Sequence, residues 1–142
     1  MLEQQVRAER TGWRDLALSE RHRRWGMDCP MVDVDFLAVE YDRGLPKAIV
    51  EYKEAHAQKQ WSLHPSFKAL QILGTRANLP VFAVRYASDF SCFRVTALNA
   101  AAKAHVPRAT DFSEYGYVAL LYRVRGRAMP DGLPLQTAEP VG

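Results

Sequence analysis

The sequence predicts an α/β domain with a central mixed sheet of about four to five strands flanked by helices. Three observations lead to this class: two strand-like segments joined by a short turn, a helix-length segment after them, and two more strand-like segments. The order helix, strand, strand, helix, strand, strand is typical of a layered α/β arrangement. The chain has 142 residues. We expect residues 1–125 to form one domain with a buried core, and residues 126–142, rich in Pro and Gly, to form a flexible tail.

The first two strands are predicted to pair as a hairpin. Residues 32–41 and 47–52 are rich in β-branched and aromatic side chains. The residues between them include Gly44 and Pro46, which favour a turn. Both strands carry apolar residues on both faces, so we expect the hairpin to lie inside a sheet that is covered on both sides.

The other elements follow from periodicity and from turn residues. They are a helix over residues 2–24 that is broken near Gly12, a helix over 65–75, strands over 81–86 and 93–98, a short helix over 99–105 and a last strand over 117–124. The connection before residue 81 is long enough to place that strand parallel to the second hairpin strand. If the last strand continues, Arg123, Arg125 and Arg127 point one way, as a charged edge or as a phosphate-binding ridge.

Composition and charge limit the class of protein. The chain is 48% hydrophobic and 25% charged, with a net charge of +3, which permits a polyanionic partner without requiring one. No apolar run approaches the roughly 20 residues of a membrane span, and the N-terminus lacks the apolar segment of a signal peptide. Cys29 and Cys92 have no metal-binding spacing. We therefore expect a reduced, cytoplasmic protein with no membrane partner.

The hairpin carries the residues that point to chemistry. Asp33 and Asp35 share one face of the first strand, and Glu51 and Lys53 share one face of the second. If Asp35 lies opposite Glu51, their Cβ atoms approach to about 5 Å on the same face, whereas a slip of one residue separates them. The alternative is an ordinary ion pair between Lys53 and one of these acids at a solvent-exposed strand end.

Asp35, fifteen intervening residues and then Glu51, Tyr52 and Lys53 form a pattern that resembles the PD-(D/E)xK nuclease superfamily. The signature of that superfamily is an acid at a strand start, followed on the next strand by acid-x-lysine after an apolar run. The resemblance covers residues 14–98, although Pro30 does not directly precede the first acid. It implies a restriction-endonuclease-like core of αβββαβ-type order. It also implies hydrolysis of DNA phosphodiester bonds with Mg²⁺ or Mn²⁺, and the motif does not distinguish DNA from RNA.

The resemblance also implies the metal ligands. They are the carboxylates of Asp35 and Glu51 and the backbone carbonyl of Tyr52. Oxygen ligands suit Mg²⁺, which keeps several waters and takes a further ligand from the substrate phosphate. Asp33 is either an alternative first ligand or a cap at the strand start.

Two further residues have roles by resemblance. Lys53 would place the attacking water or stabilise the negative charge that develops in the transition state. Glu20 is a candidate acid on the first helix, since many members of the superfamily have one facing the site. The alternative for Glu20 is a solvated residue within a charged run.

Substrate contacts are predicted from basic residues. Arg21, Arg23 and Arg24 end the first helix and could meet phosphates. Basic residues at a helix C-terminus also simply complement its dipole, which is the alternative reading. Lys59 lies in the segment after the motif, where a nuclease often contacts its substrate.

The resulting hypothesis is a small stand-alone nuclease that is structure-specific in the manner of junction resolvases and small phage or repair nucleases. Such nucleases often dimerise to cut two strands, so the resemblance also implies a homodimer. The competing hypothesis is a catalytically inactive protein of nuclease-like fold that binds nucleic acid or a protein partner. Metal dependence separates the two, because a binding protein needs no Mg²⁺ and should tolerate the loss of Lys53.

Overall fold

The structure is a computed structural model that describes residues 16–26, 34–54 and 65–136. The chain divides into two units, residues 1–33 and 34–142. The described part of the first unit contains helix α1, Leu16–Arg24. Its end is marked by an edge-to-face contact between the rings of His22 and Trp25, whose centroids lie 4.4 Å apart. The earlier part of the predicted first helix, including its break, lies outside the described residues.

The second unit contains an open, mixed five-stranded sheet. In chain order its strands are β1 Phe36–Glu40, β2 Leu45–Glu54, β3 Val81–Tyr86, β4 Phe93–Ala97 and β5 Thr110–Phe112. They lie side by side in the same order. The pair β2–β3 is parallel and the other three pairs are antiparallel. The α/β class, the mixed sheet and the parallel placement of β3 beside β2 are confirmed, whereas the restriction-endonuclease-like arrangement stays a prediction.

Helices and turns make the connections in this unit. They are a 3-10 turn at Tyr41–Arg43, α2 at Pro65–Ala77, α3 at Ala100–Lys103 and α4 at Glu114–Arg125. Gly44 completes the hairpin turn with φ of +63°, a backbone conformation that side chains with a Cβ rarely adopt. The connection through α2 provides the crossover that a parallel strand pair requires. Within the described part of the chain, no helix is both long and apolar enough to cross a membrane.

The two faces of the sheet bury different sets of side chains. Because side chains alternate along a strand, neighbours in β2 belong to opposite faces. The larger core lies on the face that packs against α3 and α4 and consists of Ala48, Val50, Phe82, Val84, Phe93, Val95, Ala102, Val106, Tyr117 and Leu120. The smaller core lies on the α2 face and consists of Ile49, Leu70 and Val81, with Leu98 packed against them. Glu51 and Lys53 share the parity of Ile49 and therefore belong to the α2 face.

The predicted last strand over residues 117–124 is wrong, because this segment lies inside helix α4. Its apolar residues follow helical spacing, and their side chains reach the larger core. Ser113 caps the helix start by accepting a hydrogen bond from the backbone of Gly116 at 3.1 Å. Gly126 ends the helix in a left-handed conformation with φ of +74°. The cap residues at both ends outweigh the strand propensity of the Tyr and Val side chains between them.

This correction also removes the predicted alternation of Arg123, Arg125 and Arg127 along one strand. Arg123 and Arg125 lie on α4, so they do not alternate along a strand edge. The edge opposite β1 is instead β5, which the sequence did not indicate because it has only three residues, two of them polar.

The segment after α4 contacts the domain at two places. Arg127 donates from Nε to Glu40 Oε2 at 2.9 Å and from Nη2 to Glu40 Oε1 at 2.5 Å. Gln136 donates from its backbone to the Glu114 carboxylate at 2.8 Å and from Nε2 to the carbonyl of Asp89 at 2.9 Å. Of the predicted flexible tail, residues 137–142 lie outside the described residues.

Candidate active site

The hairpin brings two acids together at one end of the sheet. β1 and β2 pair with Phe36 opposite Val50, so one further step along this register places Asp35 opposite Glu51. The backbone N–H of Asp35 donates to Glu51 Oε1 at 3.2 Å. The backbone N–H of Tyr52 donates to Asp35 Oδ2 at 3.1 Å. Each carboxylate is therefore oriented by the backbone of the opposite strand.

The two acids differ in their exposure to solvent. The side chain of Glu51 is buried, with 7% of its surface accessible, whereas Asp35 is exposed. Burial raises the pKa of Glu51 above its ordinary value, and the charge and carboxyl group of Asp35 raise it further. The backbone N–H of Asp35 and the Lys53 ammonium oppose this rise without cancelling it. A positive charge bound between the two carboxylates would stabilise the ionised form of Glu51.

Lys53 follows the acids on the same face of β2. Its side chain is exposed to solvent, and its charge acts on Glu51, since the ammonium lowers the pKa of that carboxyl group. The acid-x-lysine pattern therefore places a buried acid and an exposed cation two residues apart on one face.

Tyr52 lies between them and points to the opposite face. Its hydroxyl group is hydrogen-bonded to the hydroxyl of Tyr117 on α4. Its ring contacts Phe36 and Tyr86 edge to face, with centroid distances of 5.1 and 6.2 Å. Burial raises the pKa of both tyrosine hydroxyls, so both stay protonated at neutral pH. These contacts hold the end of β2 against α4 and so fix the strand that carries the acid and the lysine.

The donor atoms fit a hard divalent cation. The N–H and C=O groups of one residue in an extended strand point to the same side, so the carbonyl of Tyr52 faces the strand edge where its N–H meets Asp35. Two carboxylates and this carbonyl supply only oxygen, which suits Mg²⁺ or Mn²⁺ with waters at the remaining positions. Within the described ranges no group of three or more Asp, Glu, His or Cys side chains that could hold a metal ion lies together.

The other predicted site residues lie elsewhere in the chain. Four of them are on α1 in the first unit: Glu20, Arg21, Arg23 and Arg24. Glu20, Arg21 and Arg24 are exposed there. Asp33 and Lys59 lie outside the described residues. The roles of all six at the acid pair stay predictions.

Two arginines that were not predicted as site residues lie on the face of the acid pair. Arg85 of β3 is the partner of Lys53 in the parallel pair, and Arg94 of β4 is the partner of Arg85 in the next pair. Each is the only charged residue in its strand. Their alternation could have been read from the sequence, but their alignment with Lys53 depends on the register between distant strands.

Comparison with protein-family models, with curated proteins and with solved structures found no match. The resemblance to the PD-(D/E)xK superfamily therefore rests on the residues of the hairpin.

Proposed function

We propose that this chain is a metal-dependent nuclease that hydrolyses phosphodiester bonds in DNA. The observation that carries the proposal is the juxtaposition of Asp35 and Glu51 at one strand end, with Lys53 on the same face of the sheet. The pairing has the register that the motif requires.

The acid pair would hold the cation, together with the carbonyl of Tyr52. When bound, Mg²⁺ or Mn²⁺ polarises a phosphoryl oxygen and lowers the pKa of a bound water. The backbone N–H groups of Asp35 and Tyr52 hold the two carboxylates in place before any ligand arrives. Such preorganisation reduces the reorganisation that binding and reaction require.

Lys53 would act on the reacting phosphate. Its exposed ammonium is available to a group that approaches the acid pair from solvent. There it can donate to the attacking water or to a non-bridging oxygen, and it stabilises the extra negative charge of the phosphorane-like transition state. An arginine at this position would keep the charge but not the compact ammonium.

The test is a cleavage assay on linear, nicked, single-stranded, flapped and four-way-junction DNA, with Mg²⁺, Mn²⁺ or EDTA. We expect cleavage that needs the metal and falls at least about 100-fold in Asp35→Asn, Glu51→Gln and Lys53→Gln, because each change removes a group used in the transition state. The preferred DNA would define the substrate class.

Glu54→Gln is the matched control, because Glu54 lies on the same strand, is exposed and belongs to the opposite face. We expect this variant to keep its activity. If the folded wild type cuts none of these substrates, or cuts equally well in EDTA, the nuclease proposal is wrong. Metal-independent binding of DNA by an inactive wild type would instead support the non-catalytic binding protein.

A further inference from the structure

Tyr52 takes part in two separate sets of contacts at the end of β2. Its backbone N–H donates to Asp35 Oδ2 at 3.1 Å, and its carbonyl faces the same strand edge. Its side chain points to the α4 face, where its hydroxyl group is hydrogen-bonded to the hydroxyl of Tyr117. One residue therefore connects the acid pair with a helix on the opposite face of the sheet.

The ladder between β1 and β2 does not reach the backbone of Tyr52. Within the described residues, the register of these two strands starts at Phe36 opposite Val50, so Tyr52 lies beyond the last pair. On its other side β2 continues beside β3, with Tyr52 opposite Val84. The N–H and C=O groups that face β1 are therefore positioned by the pairing with β3 and by the contacts of the Tyr52 side chain.

Tyr117 is fixed by its own contacts in the larger core. It is 4% exposed, and its ring stacks on the ring of Phe93, with centroids 4.7 Å apart and an angle of 8° between the planes. Its backbone N–H donates to the carbonyl of Ser113 at 2.9 Å in the first turn of α4. Its ring also meets the ring of Tyr52 edge to face, with centroids 6.2 Å apart. The hydroxyl of Tyr117 is therefore a fixed point to which the end of β2 is attached.

The pair of hydroxyl groups contributes direction more than stability. Two phenylalanines would have nearly the same shape, and replacing both partners of a hydrogen bond by apolar groups can be nearly neutral for folding. A hydrogen bond requires a defined distance and angle, whereas an apolar ring contact tolerates small shifts. The bond between Tyr52 and Tyr117 therefore restricts where the Tyr52 ring lies, and with it the backbone that carries the ring.

We propose that Tyr117 is a positioning residue for the metal site at the acid pair. Through the hydroxyl of Tyr52 it fixes two groups of that residue, the N–H that holds Asp35 and the carbonyl proposed as a metal ligand. This inference rests on the proposed function and adds to it a residue on the far side of the sheet. Replacing a residue that orients the ligands of a metal typically lowers metal affinity about 10–100-fold.

The first measurement is the binding of Mn²⁺ alone, by isothermal titration calorimetry without nucleic acid. We expect Tyr117→Phe to weaken binding about 10-fold, because the ring stays in place while the bond to Tyr52 is lost. Tyr52→Phe breaks the same bond and should have an equal effect. The variant with both changes should bind no more weakly than either single variant, since the two changes remove one interaction. Glu51→Gln removes a proposed ligand and so shows whether the titration reports the acid pair.

Tyr115→Phe is the matched control, because it removes one hydroxyl group from an exposed position on the same helix. It should bind Mn²⁺ as the wild type does. Each variant is titrated well below its melting temperature, so a loss of stability alone does not change the affinity of the folded protein. If Tyr117→Phe does not fold, Tyr52→Phe and the double variant test the same bond.

The second measurement needs no metal. Amide hydrogen exchange, followed by NMR, reports how firmly the N–H of Tyr52 is held on Asp35. We expect this amide to exchange faster in Tyr117→Phe than in the wild type, and at the wild-type rate in Tyr115→Phe. A loss of Mn²⁺ affinity with unchanged exchange would mean that the effect does not pass through the backbone of Tyr52, which would overturn the proposal.

Unchanged Mn²⁺ affinity in Tyr117→Phe, or an equal loss in Tyr115→Phe, would also overturn the positioning role. The proposed function is tested separately by cleavage. A wild type that binds Mn²⁺ at the acid pair but cuts no DNA would retain the positioning role and lose the proposed function. A wild type that cuts DNA, and whose Tyr117→Phe variant cuts and binds Mn²⁺ equally well, would retain the proposed function without this role.

Discussion

Gly74 of α2 faces Val81 of β3 so closely that a Cβ at residue 74 would lie 2.1 Å from Val81 Cγ2 and 3.2 Å from the carbonyl oxygen of Leu79. Val81 is fully buried and starts the strand that lies parallel to β2. The close approach therefore sets how near α2 can come to the face that carries the acid pair. It also makes residue 74 a sensitive position for stability.

We expect Gly74→Ala to destabilise the protein by about 1–3 kcal/mol, because the added methyl group overpacks a site with no room to yield. The greater helix propensity of Ala, worth up to about 1 kcal/mol, offsets only part of this cost. Urea denaturation monitored by circular dichroism measures the change in the free energy of unfolding.

Gly116→Ala in α4 is the matched control. Its Cβ would make ordinary contacts, with the nearest atoms at 3.4 Å. We expect a change within about 1 kcal/mol, of either sign. Equal destabilisation by the two substitutions would contradict the role of the contact with Val81.

The raised pKa of Glu51 predicts how stability depends on pH. Its folded pKa lies above its ordinary value of 4.5. The contribution of Glu51 to stability is therefore fully present below pH 4.5 and is lost as the pH rises through the folded pKa. We expect Glu51→Gln, which keeps an acceptor for the N–H of Asp35, to be more stable than the wild type at pH 7, with the difference narrowing towards pH 4.

Urea denaturation at a series of pH values measures this difference. Mg²⁺ should stabilise the wild type at pH 7 and should not stabilise Glu51→Gln to the same extent. Glu54→Gln, at an exposed position on the same strand, is the control for the loss of one carboxylate. If the free energies of unfolding of the wild type and of Glu51→Gln change with pH in parallel, the folded protein does not raise the pKa of Glu51.

The acid pair was predictable because its geometry is local. A turn between two strand-like segments and the alternation of side chains place Asp35 opposite Glu51, and the structure has this register. The parallel position of β3 followed from the length of the crossover. The assignment of residues 117–124 failed because Tyr and Val favour strands in isolation, while the cap at Ser113 decides for a helix. The alignment of Arg85 and Arg94 with Lys53 was not predictable, because it depends on contacts between distant segments.

Asn99 links the segment after α2, the start of β3 and the helix α3 through hydrogen bonds. Its buried Oδ1 accepts hydrogen bonds from the backbone of Val81 at 3.1 Å and of Ala102 at 3.0 Å. Its Nδ2 donates to the carbonyl of Leu79 at 2.8 Å. We expect Asn99→Ala to cost about 3 kcal/mol, since it removes a helix cap and leaves buried polar groups without this partner. Asn99→Asp should also destabilise, because a carboxylate would face the Leu79 carbonyl.

Chemical denaturation measures the cost, with Ser113→Ala as the comparison. Ser113 caps α4 by accepting a hydrogen bond from the backbone N–H of Gly116, so its loss should cost about 1 kcal/mol. An equal cost for the two alanine variants would mean that Asn99 acts only as a helix cap.

Removal of the ion pair between Arg127 and Glu40 is expected to lower the stability of the protein. Glu40 is 3% exposed and receives both hydrogen bonds from one guanidinium group, which also contacts Asp42 at 3.2 Å. Arg127→Gln leaves a buried carboxylate without its counter-charge, which destabilises more than removing the pair. We expect a clearly lower melting temperature, partly restored when Glu40→Gln is added.

Differential scanning fluorimetry of the two single variants and the double variant measures the coupling. Arg123→Gln, an exposed residue on α4, controls for the loss of one positive charge. If Arg127→Gln melts at the temperature of Arg123→Gln, the bidentate bond does not hold the segment after α4.

The parallel pairing of β2 with β3 would link the proposed nuclease activity to the completion of folding. The hairpin that carries Asp35 and Glu51 is local and can form within about 1–10 μs, but an isolated hairpin is only marginally stable in water. β3 arrives from beyond residues 55–80, a slower closure because more chain must be ordered. The same step holds Glu51 in a three-stranded environment and brings Arg85 beside Lys53. We therefore expect the proposed cutting of DNA to require the complete sheet and to be absent from partly folded or growing chains.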